Sequence, residues 1–380
     1  MKITGIIVEY NPLHNGHLHH IQETRQQSGC DVLVAVMSSH FTQRGEPTIL
    51  DKFTRTKWAL AHGVDLVVEL PFVLGVQSAD LFAKHAVEIL HHLGVTNIYF
   101  GSESGTIELL HSMLDILDSD EYNSAVQLYL KEGYSYPTAS DMAMNLLERD
   151  SGFDQPNNIL GIQYLRAGKG LLPPIQFHSI PRVQSGYYDE IDPDKHIQSA
   201  TAIRKLALSH LDLDNYVPSD VAEDLSTKTL VTYDAFAEAL GGILHRASAS
   251  ELGRIHHVTE GLEHRIKQVT SFTDIEDLLS QIISRRYTNA KLKRMLACVL
   301  CNVTKEDITH DAIPYLRILG MTDAGRNLLG HIKKTISIPL YTKIKEGLHP
   351  YLDIELRITK LYNMACETDI YTKEFEPVIY

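Results

Sequence analysis

Ile3-Thr4-Gly5-Ile6-Ile7-Val8-Glu9-Tyr10-Asn11-Pro12-Leu13-His14-Asn15-Gly16-His17 is the stretch on which the reading of this chain turns. Its first half is apolar with little polar alternation, the pattern of a strand covered on both faces, so Ile3–Tyr10 is expected at the centre of a parallel sheet. Asn11-Pro12 stops that strand, and a helix is expected to begin near Gly16, where glycine permits close backbone approach. Open parallel sheets bind ligands beyond the carboxyl ends of their strands, and His14 and His17 fall at that end. A helix start offers unpaired N–H groups to an anion, for which phosphate is the natural candidate. Two imidazoles three residues apart can reach oxygens of one phosphoryl group and stabilise the charge that develops when an α-phosphate is attacked, with proton transfer as a secondary role.

Working outward, Asp31–Met37, Val64–Leu70, Val95–Phe100 and Ile175–Ile180 are expected as further strands, with helices over Asp51–His62 and Ser78–Leu93 between the early ones. Gly63 and Gly94 stand where each helix wants a left-handed terminating residue. The alternation gives a doubly covered parallel α/β sheet. The polar run 38–47 follows the second strand on the same sheet edge as the histidines and is a candidate substrate loop, with Arg44 and Lys52 as either phosphate partners or solvated cations. Gly101 ends the fourth strand, where a nucleotide can lie against bare backbone or the chain simply turns. Three helices are expected over 106–149, and another opens at Pro156-Asn157-Asn158 with an asparagine at its cap. After the fifth strand comes Arg182, and Ser199-Ala200-Thr201-Ala202-Ile203-Arg204 reads as a Ser199-capped helix whose hydroxyls and arginine suit a triphosphate tail.

At 380 residues the chain is long enough for two domains, and its net charge of −13 argues against indiscriminate nucleic-acid binding without excluding a local basic face. Cys298-x-x-Cys301 lies in an apolar helical run with no second pair, so buried thiols in a reducing cytoplasm are expected. No apolar run reaches membrane-spanning length, and Met1-Lys2 leads straight into strand pattern with no signal peptide. Strand patterns vanish after a polar break near Asp212–Asp220, which sets the expected division: 1–212 nucleotide-binding and catalytic, 213–380 α-helical. Within the second part Gln281–Leu300 carries Arg285, Arg286, Lys291, Lys293 and Arg294 without one acidic residue. Arginine forks suit phosphate, and Tyr287 is expected to offer a stacking face to RNA; a solvated helix face is the alternative. Arg317, Arg326, Lys333 and Lys334 are candidates to extend that surface.

His14-Asn15-Gly16-His17 after a first strand resembles the HxGH signature of the nucleotidyltransferase superfamily, and Ser199-x-Thr201-x-Ile203-Arg204 resembles its second signature. Taken with QRGEPTILDKF, FGSES, PNNILGIQY, EGLEHRI, SRRYTNAKLKR and YLRILGM, the whole chain resembles the bacterial tRNA(Met) cytidine acetate ligase family. It departs from that pattern at Leu13, Ser39-His40, Phe53 and Gln163. The resemblance implies a Rossmann-like fold and an enzyme that joins acetate to ATP as acetyl-adenylate, then acetylates N4 of the wobble cytidine, position 34, of elongator tRNA(Met). It implies His14 and His17 as catalytic residues, and ATP contacts across Ile7, Val8, Glu9, Tyr10, Asn11, Pro12, Leu13, His14, Asn15, Gly16, His17, Leu18, His19 and His20. Gly101, Asn157 and Arg182 would place the nucleotide, while Ser199, Thr201 and Arg204 would hold the departing pyrophosphate with Mg²⁺. No protein-held metal site is expected. An adenylyltransferase that builds a dinucleotide cofactor shares both signatures, and a noncatalytic RNA-binding module on the same fold is the reading from another class. Roughly 170 residues beyond the catalytic part favour an RNA substrate over a metabolite.

Overall fold

The computed structural model describes residues 1–147, 155–182, 196–259, 261–308 and 312–380. Residues 148 and 149 of the third expected helix and Glu260 of the EGLEHRI run lie outside that set. Five strands, β1 (Ile3–Val8), β2 (Val32–Ser38), β3 (Leu66–Leu70), β4 (Asn97–Ser102) and β5 (Gln176–Pro181), run parallel in the order β5-β4-β1-β2-β3. Side chains alternate across this sheet: Val32, Val34 and Val36 enter one apolar cluster, and Leu33, Ala35 and Met37 enter the other. That explains why the strands read as unbroken apolar runs. Chain order reverses between β1 and β4, which places the ligand crevice beyond their carboxyl ends.

Helix α1 (Asn15–Ser28) and helix α2 (Lys52–Ala61) lie in the expected places, and Asp51 Oδ1 accepts from Phe53 N and Thr54 N to start the second. Gly63 and Gly94 take positive φ, +105° and +74°, as their terminating positions require. The Pro156–Gly168 helix differs from expectation at its start: Gln155 holds the cap position and Pro156 the first turn. Its asparagines are inside the helix, and the free N–H groups are met by Glu103, whose carboxylate accepts from Asn157 N and Asn158 N at 3.4 and 3.0 Å. Cys298 and Cys301 are buried free thiols, as their apolar setting predicts.

The second half is mainly helical, but the expectation of no strand beyond residue 212 is corrected. Strand β6 (Leu316–Met321) pairs antiparallel with β3, and two short strands, β7 (Leu340–Tyr341) and β8 (Val378–Ile379), pair with β6. The polar segment near 212 is therefore no seam: past it, Asp224 accepts from Trp58 Nε1 at 2.8 Å and Asp220 pairs with His62 at 2.9 Å, both on α2.

A buried charge cluster fastens this junction. Lys52 Nζ lies 2.5 Å from Glu69, 2.9 Å from Glu374 and 3.5 Å from Glu355, while Arg317 binds Glu69 at 2.9 Å and also Glu374. Arg317 is thus an interior residue, 3% exposed, and does not extend a basic surface. Ser39 donates to Glu355 at 2.5 Å, and His40 meets Thr359 at 3.0 Å while stacking on Tyr362. Ser39 and His40 thus dock the Pro350–Asn363 helix against the loop after β2. Among the described residues no helix is long and apolar enough to cross a membrane.

Candidate active site

His14 occupies the N-cap of α1 in extended backbone, and two reciprocal hydrogen bonds shape the turn. Gly16 N donates to His14 Nδ1 at 3.1 Å, and His14 N donates to His17 Nδ1 at 3.3 Å. The imidazoles stack with centroids 3.8 Å apart. Because each Nδ1 already accepts a backbone N–H, each neutral ring carries its proton on Nε2. Burial, then the Arg182 and Arg204 charges, bring His14 down to about 3. Burial and the neighbouring His14 take His17 well below its ordinary value. Both rings are neutral at pH 7 and present Nε2–H donors at a helix N-terminus. A Cβ on Gly16 would lie 2.9 Å from His14 Cε1, so glycine there is a condition of the stacked pair.

These rings open into one cleft lined from β1, α1, the loop after β2, the end of β4, the Pro156–Gly168 helix and the Ala200–Leu208 helix. Expected residues that meet there are Ile7, Val8, Glu9, Tyr10, Asn11, His14, Gly16, His17, His19, His20, Gly101, Asn157, Arg182, Ser199, Thr201 and Arg204. Four others do not line it. Pro12 and Leu13 point into the interior, Leu18 packs against the core, and Asn15 Nδ2 ties down the carbonyls of His196 and Asn215 at 3.2 and 2.9 Å. Consecutive residues at a strand–helix turn cannot all face one side, so a continuous run overstates the contact set. Arg204 donates to Asn11 O at 2.8 Å and Thr201 Oγ1 at 3.2 Å, joining the second signature to the first, and Ser199 Oγ accepts from Ala202 N at 3.2 Å as the expected cap. Arg55, fully buried, donates to the carbonyls of Glu9, Leu50, Ser38 and Ser39 and holds the ends of β1 and β2 together.

Thr42, Gln43, Glu46, Phe82, Phe100 and Tyr164 also line the cleft and were not among the expected site residues. The polar loop 38–47 carried a signal for the first three; the aromatics read as ordinary core. Glu46 joins two expected groups, pairing with Arg204 at 3.6 Å and Lys293 at 2.9 Å. The basic run therefore reaches the cleft at one end. Gly45, at φ +83°, packs where a Cβ would come within 2.4 Å of Arg294 N. At the other end Arg285 lies over the Tyr134 ring at 4.4 Å, and Arg286 is exposed beside it. Tyr287 corrects the stacking expectation: it is 6% exposed, with Lys291 over its ring at 4.9 Å and its hydroxyl donating to Thr259 O at 3.1 Å. It precedes the Thr288 cap of the Asn289–Cys301 helix, and its contacts with Thr259 and Lys291 turn it inward. Arg294 is largely buried beside Arg44.

A parallel sheet whose first strand ends in a capped His-x-Gly-His turn, opposite an Arg-bearing helix start, defines a nucleotidyltransferase, and the chain matches the family HIGH Nucleotidyl Transferase over residues 1–376. Within that class it belongs to the tRNA(Met) cytidine acetate ligase family. The relative of that name in Bacillus subtilis (strain 168) is 37% identical over 98% of this chain and 94% of its own, and that of Geobacillus sp. (strain WCH70) is 40% identical over 92% and 90%. The Thermotoga maritima TmcAL crystal structure in its apo form I superposes with a TM-score of 0.89 at 30% identity, covering 100% of this chain and 99% of that one. A second form of that protein, bound with alpha-thio ATP, gives a TM-score of 0.87 at 30% identity over the same shares.

Proposed function

We propose that the chain activates acetate with ATP in the His14–His17 cleft and transfers the acetyl group to N4 of the wobble cytidine of elongator tRNA(Met). The observation that carries this reading is the stacked pair of neutral imidazoles, whose fixed Nε2–H donors and adjoining helix N-terminus face the same cleft as Arg182 and Arg204. An acetate oxygen attacks the α-phosphorus, the bond to the β-phosphate oxygen breaks, and pyrophosphate leaves. His14 and His17 donate to the oxygens on which charge builds, an effect confined to the transition state and therefore expressed in turnover. Gly101, Asn157 and Arg182 place the nucleotide; Ser199, Thr201 and Arg204 receive the pyrophosphate, with Arg204 exchanging Glu46 for phosphate.

Among the described residues no group of three or more His, Cys, Asp or Glu side chains is arranged to hold a metal ion. Mg²⁺ would accompany the triphosphate, where it would offset the charge of the leaving group. Arg285, Arg286, Lys291 and Lys293 form the tRNA-binding surface, with Arg285 and Arg286 as the exposed phosphate contacts and Lys293 at the cleft margin, while Arg294, packed against Gly45 and largely buried, lies beneath it. A helical second part with that role, and a cytoplasmic setting where acetate, ATP and tRNA coexist, complete the reading. The test is incubation with ATP, labelled acetate and total bacterial tRNA, followed by nucleoside analysis. Label in N4-acetylcytidine is expected; tRNA that stays unlabelled overturns it.

A further inference from the structure

The acetyl transfer needs a proton acceptor that the histidine pair does not supply. The N4 amine of cytosine is a weak nucleophile, because its lone pair is delocalised into the ring, and it must lose a proton as the new bond forms. His14 and His17 have no lone pair to offer, since each Nδ1 accepts a backbone N–H and each Nε2 carries the proton. His20 Nε2 is sealed from solvent and has no partner among the described residues. Of the two carboxylates that line the cleft among the described residues, Glu46 is held by Arg204 and Lys293.

Glu9 is the other. It follows the last residue of β1, five residues before His14, and its Oε1 is fixed by Gln43 N at 2.6 Å and Ser38 Oγ at 3.3 Å. Its Oε2 makes no hydrogen bond among the described residues, yet is not among the atoms closed off from solvent. The carboxylate is therefore anchored at one oxygen and open at the other, in a cleft that the aromatic side chains of Phe82, Phe100 and Tyr164 also line. Such a setting suits a flat base entering edge-on, and a carboxylate is the natural acceptor for a cytosine N4–H.

We propose that Glu9 Oε2 accepts the N4–H hydrogen bond of the target cytosine and acts as the general base of acetyl transfer. The N4 lone pair attacks the acetyl carbonyl carbon of acetyl-adenylate and a C–N bond forms. The C–O bond to the adenylate phosphate breaks, its electron pair leaves on AMP, and one N4 proton passes to Glu9. Burial raises the Glu9 pKa above its ordinary value, against the opposing pull of Gln43 N, Arg44, Arg55 and Ser38. Tyr164, which also faces it, is itself pushed up and stays protonated. A carboxylate so raised accepts a proton more readily.

This inference rests on the acetate–ATP–cytidine reading, so the two half-reactions are measured separately: acetyl-adenylate by hydroxylamine trapping, and acetyl transfer from preformed acetyl-adenylate to tRNA. Glu9→Gln keeps an oxygen for Gln43 N and removes the basic group. Transfer is expected to fall at least about a hundredfold more than adenylate formation. The wild-type transfer rate should also decline as pH falls through the raised Glu9 pKa, a limb that the variant lacks. Equal losses in both half-reactions would make Glu9 a nucleotide-site residue only and overturn the proposal, as would an unchanged transfer rate or an acid limb that persists in Glu9→Gln. If His19→Gln, at the same cleft, removes that limb instead, the base is His19 and the proposal is also wrong. Absence of acetyl-adenylate in the wild type would sink the underlying reading rather than the role of Glu9.

Discussion

Replacing Arg317 with methionine tests whether the two halves of the chain form one folding unit. Its guanidinium, supplied by β6, sits between Glu69 on β3 and Glu374 near the C-terminus, with Lys52 on α2 as the second cation of the cluster. Two cations face three carboxylates, and the third, Glu355, is raised to about 7 by burial and then by the Glu69 charge. The two cations balance Glu69 and Glu374, so the cluster is neutral when Glu355 carries its proton. Methionine in place of Arg317 leaves Glu69 and Glu374 with Lys52 alone in a dry site, which should cost about 3–5 kcal/mol, a large part of the ~5–15 kcal/mol that ordinarily separates folded from unfolded protein. Glu355→Gln keeps an acceptor oxygen for Phe72 N, and its amide NH2 can donate to Ser39 Oγ once that hydroxyl turns, so it should cost less. The sign of the pH effect follows from linkage. Folded Glu355 holds its proton to about pH 7 while the unfolded side chain releases it near 4.5, so this group alone lowers wild-type stability as pH rises through that window. Relative to Glu355→Gln, the wild type should therefore lose ground between those values. Urea unfolding of all three proteins from pH 4.5 to 7.5 is the assay, and a loss below about 1 kcal/mol for Arg317→Met would refute the account of the junction.

Three further outcomes follow from the site. His17→Ala should lower the rate of acetyl-adenylate formation by on the order of a hundred- to thousand-fold with a smaller effect on the ATP Kd, and equal losses in rate and affinity would count against a role confined to the transition state. Gly16→Ala, whose new Cβ would meet His14 Cε1 at 2.9 Å, should displace that ring and reduce adenylate formation while the urea transition midpoint stays near wild type; full activity would show the stacked geometry to be dispensable. Arg285→Ala with Arg286→Ala should weaken tRNA binding and flatten its log–log salt dependence by about 0.7–0.9 per lost phosphate contact, leaving adenylate formation intact. An unchanged slope would return the pair to a solvated surface.

Much of this architecture could be read before any coordinates because β1 to β4 are covered on both faces, so burial writes itself as mainly apolar runs, and Asp51, Gly63, Gly94 and Ser199 mark helix ends by backbone chemistry. The His-x-Gly-His turn was legible for the same reason, since its function is local. Strand β6 was not: it is six residues long, carries Arg317 among its apolar residues, and finds its partners at Lys52, Glu69 and Glu374, which no periodicity connects. Tyr287 misled because an aromatic beside arginines resembles an RNA platform, whereas burial is decided by the fold around Thr259 and Lys291. Glu46 went unnoticed in a polar loop, because its importance comes from Arg204 and Lys293, both far away along the chain.

The central claim, that neutral His14 and His17 in this cleft drive an ATP-dependent acetylation of one tRNA cytidine, is tested most directly by mass analysis of nucleotide 34. Elongator tRNA(Met) is incubated with the protein, ATP and acetate, beside the same tRNA carrying uridine at that position and beside the His14→Ala, His17→Ala double variant. The account predicts one acetyl group on cytidine 34 with one AMP and one pyrophosphate released per acetylation, none on the uridine tRNA, and almost none with the double variant. Acetylation at wild-type rate by the double variant, or ATP consumption that leaves cytidine 34 unmodified in the wild-type reaction, would contradict it.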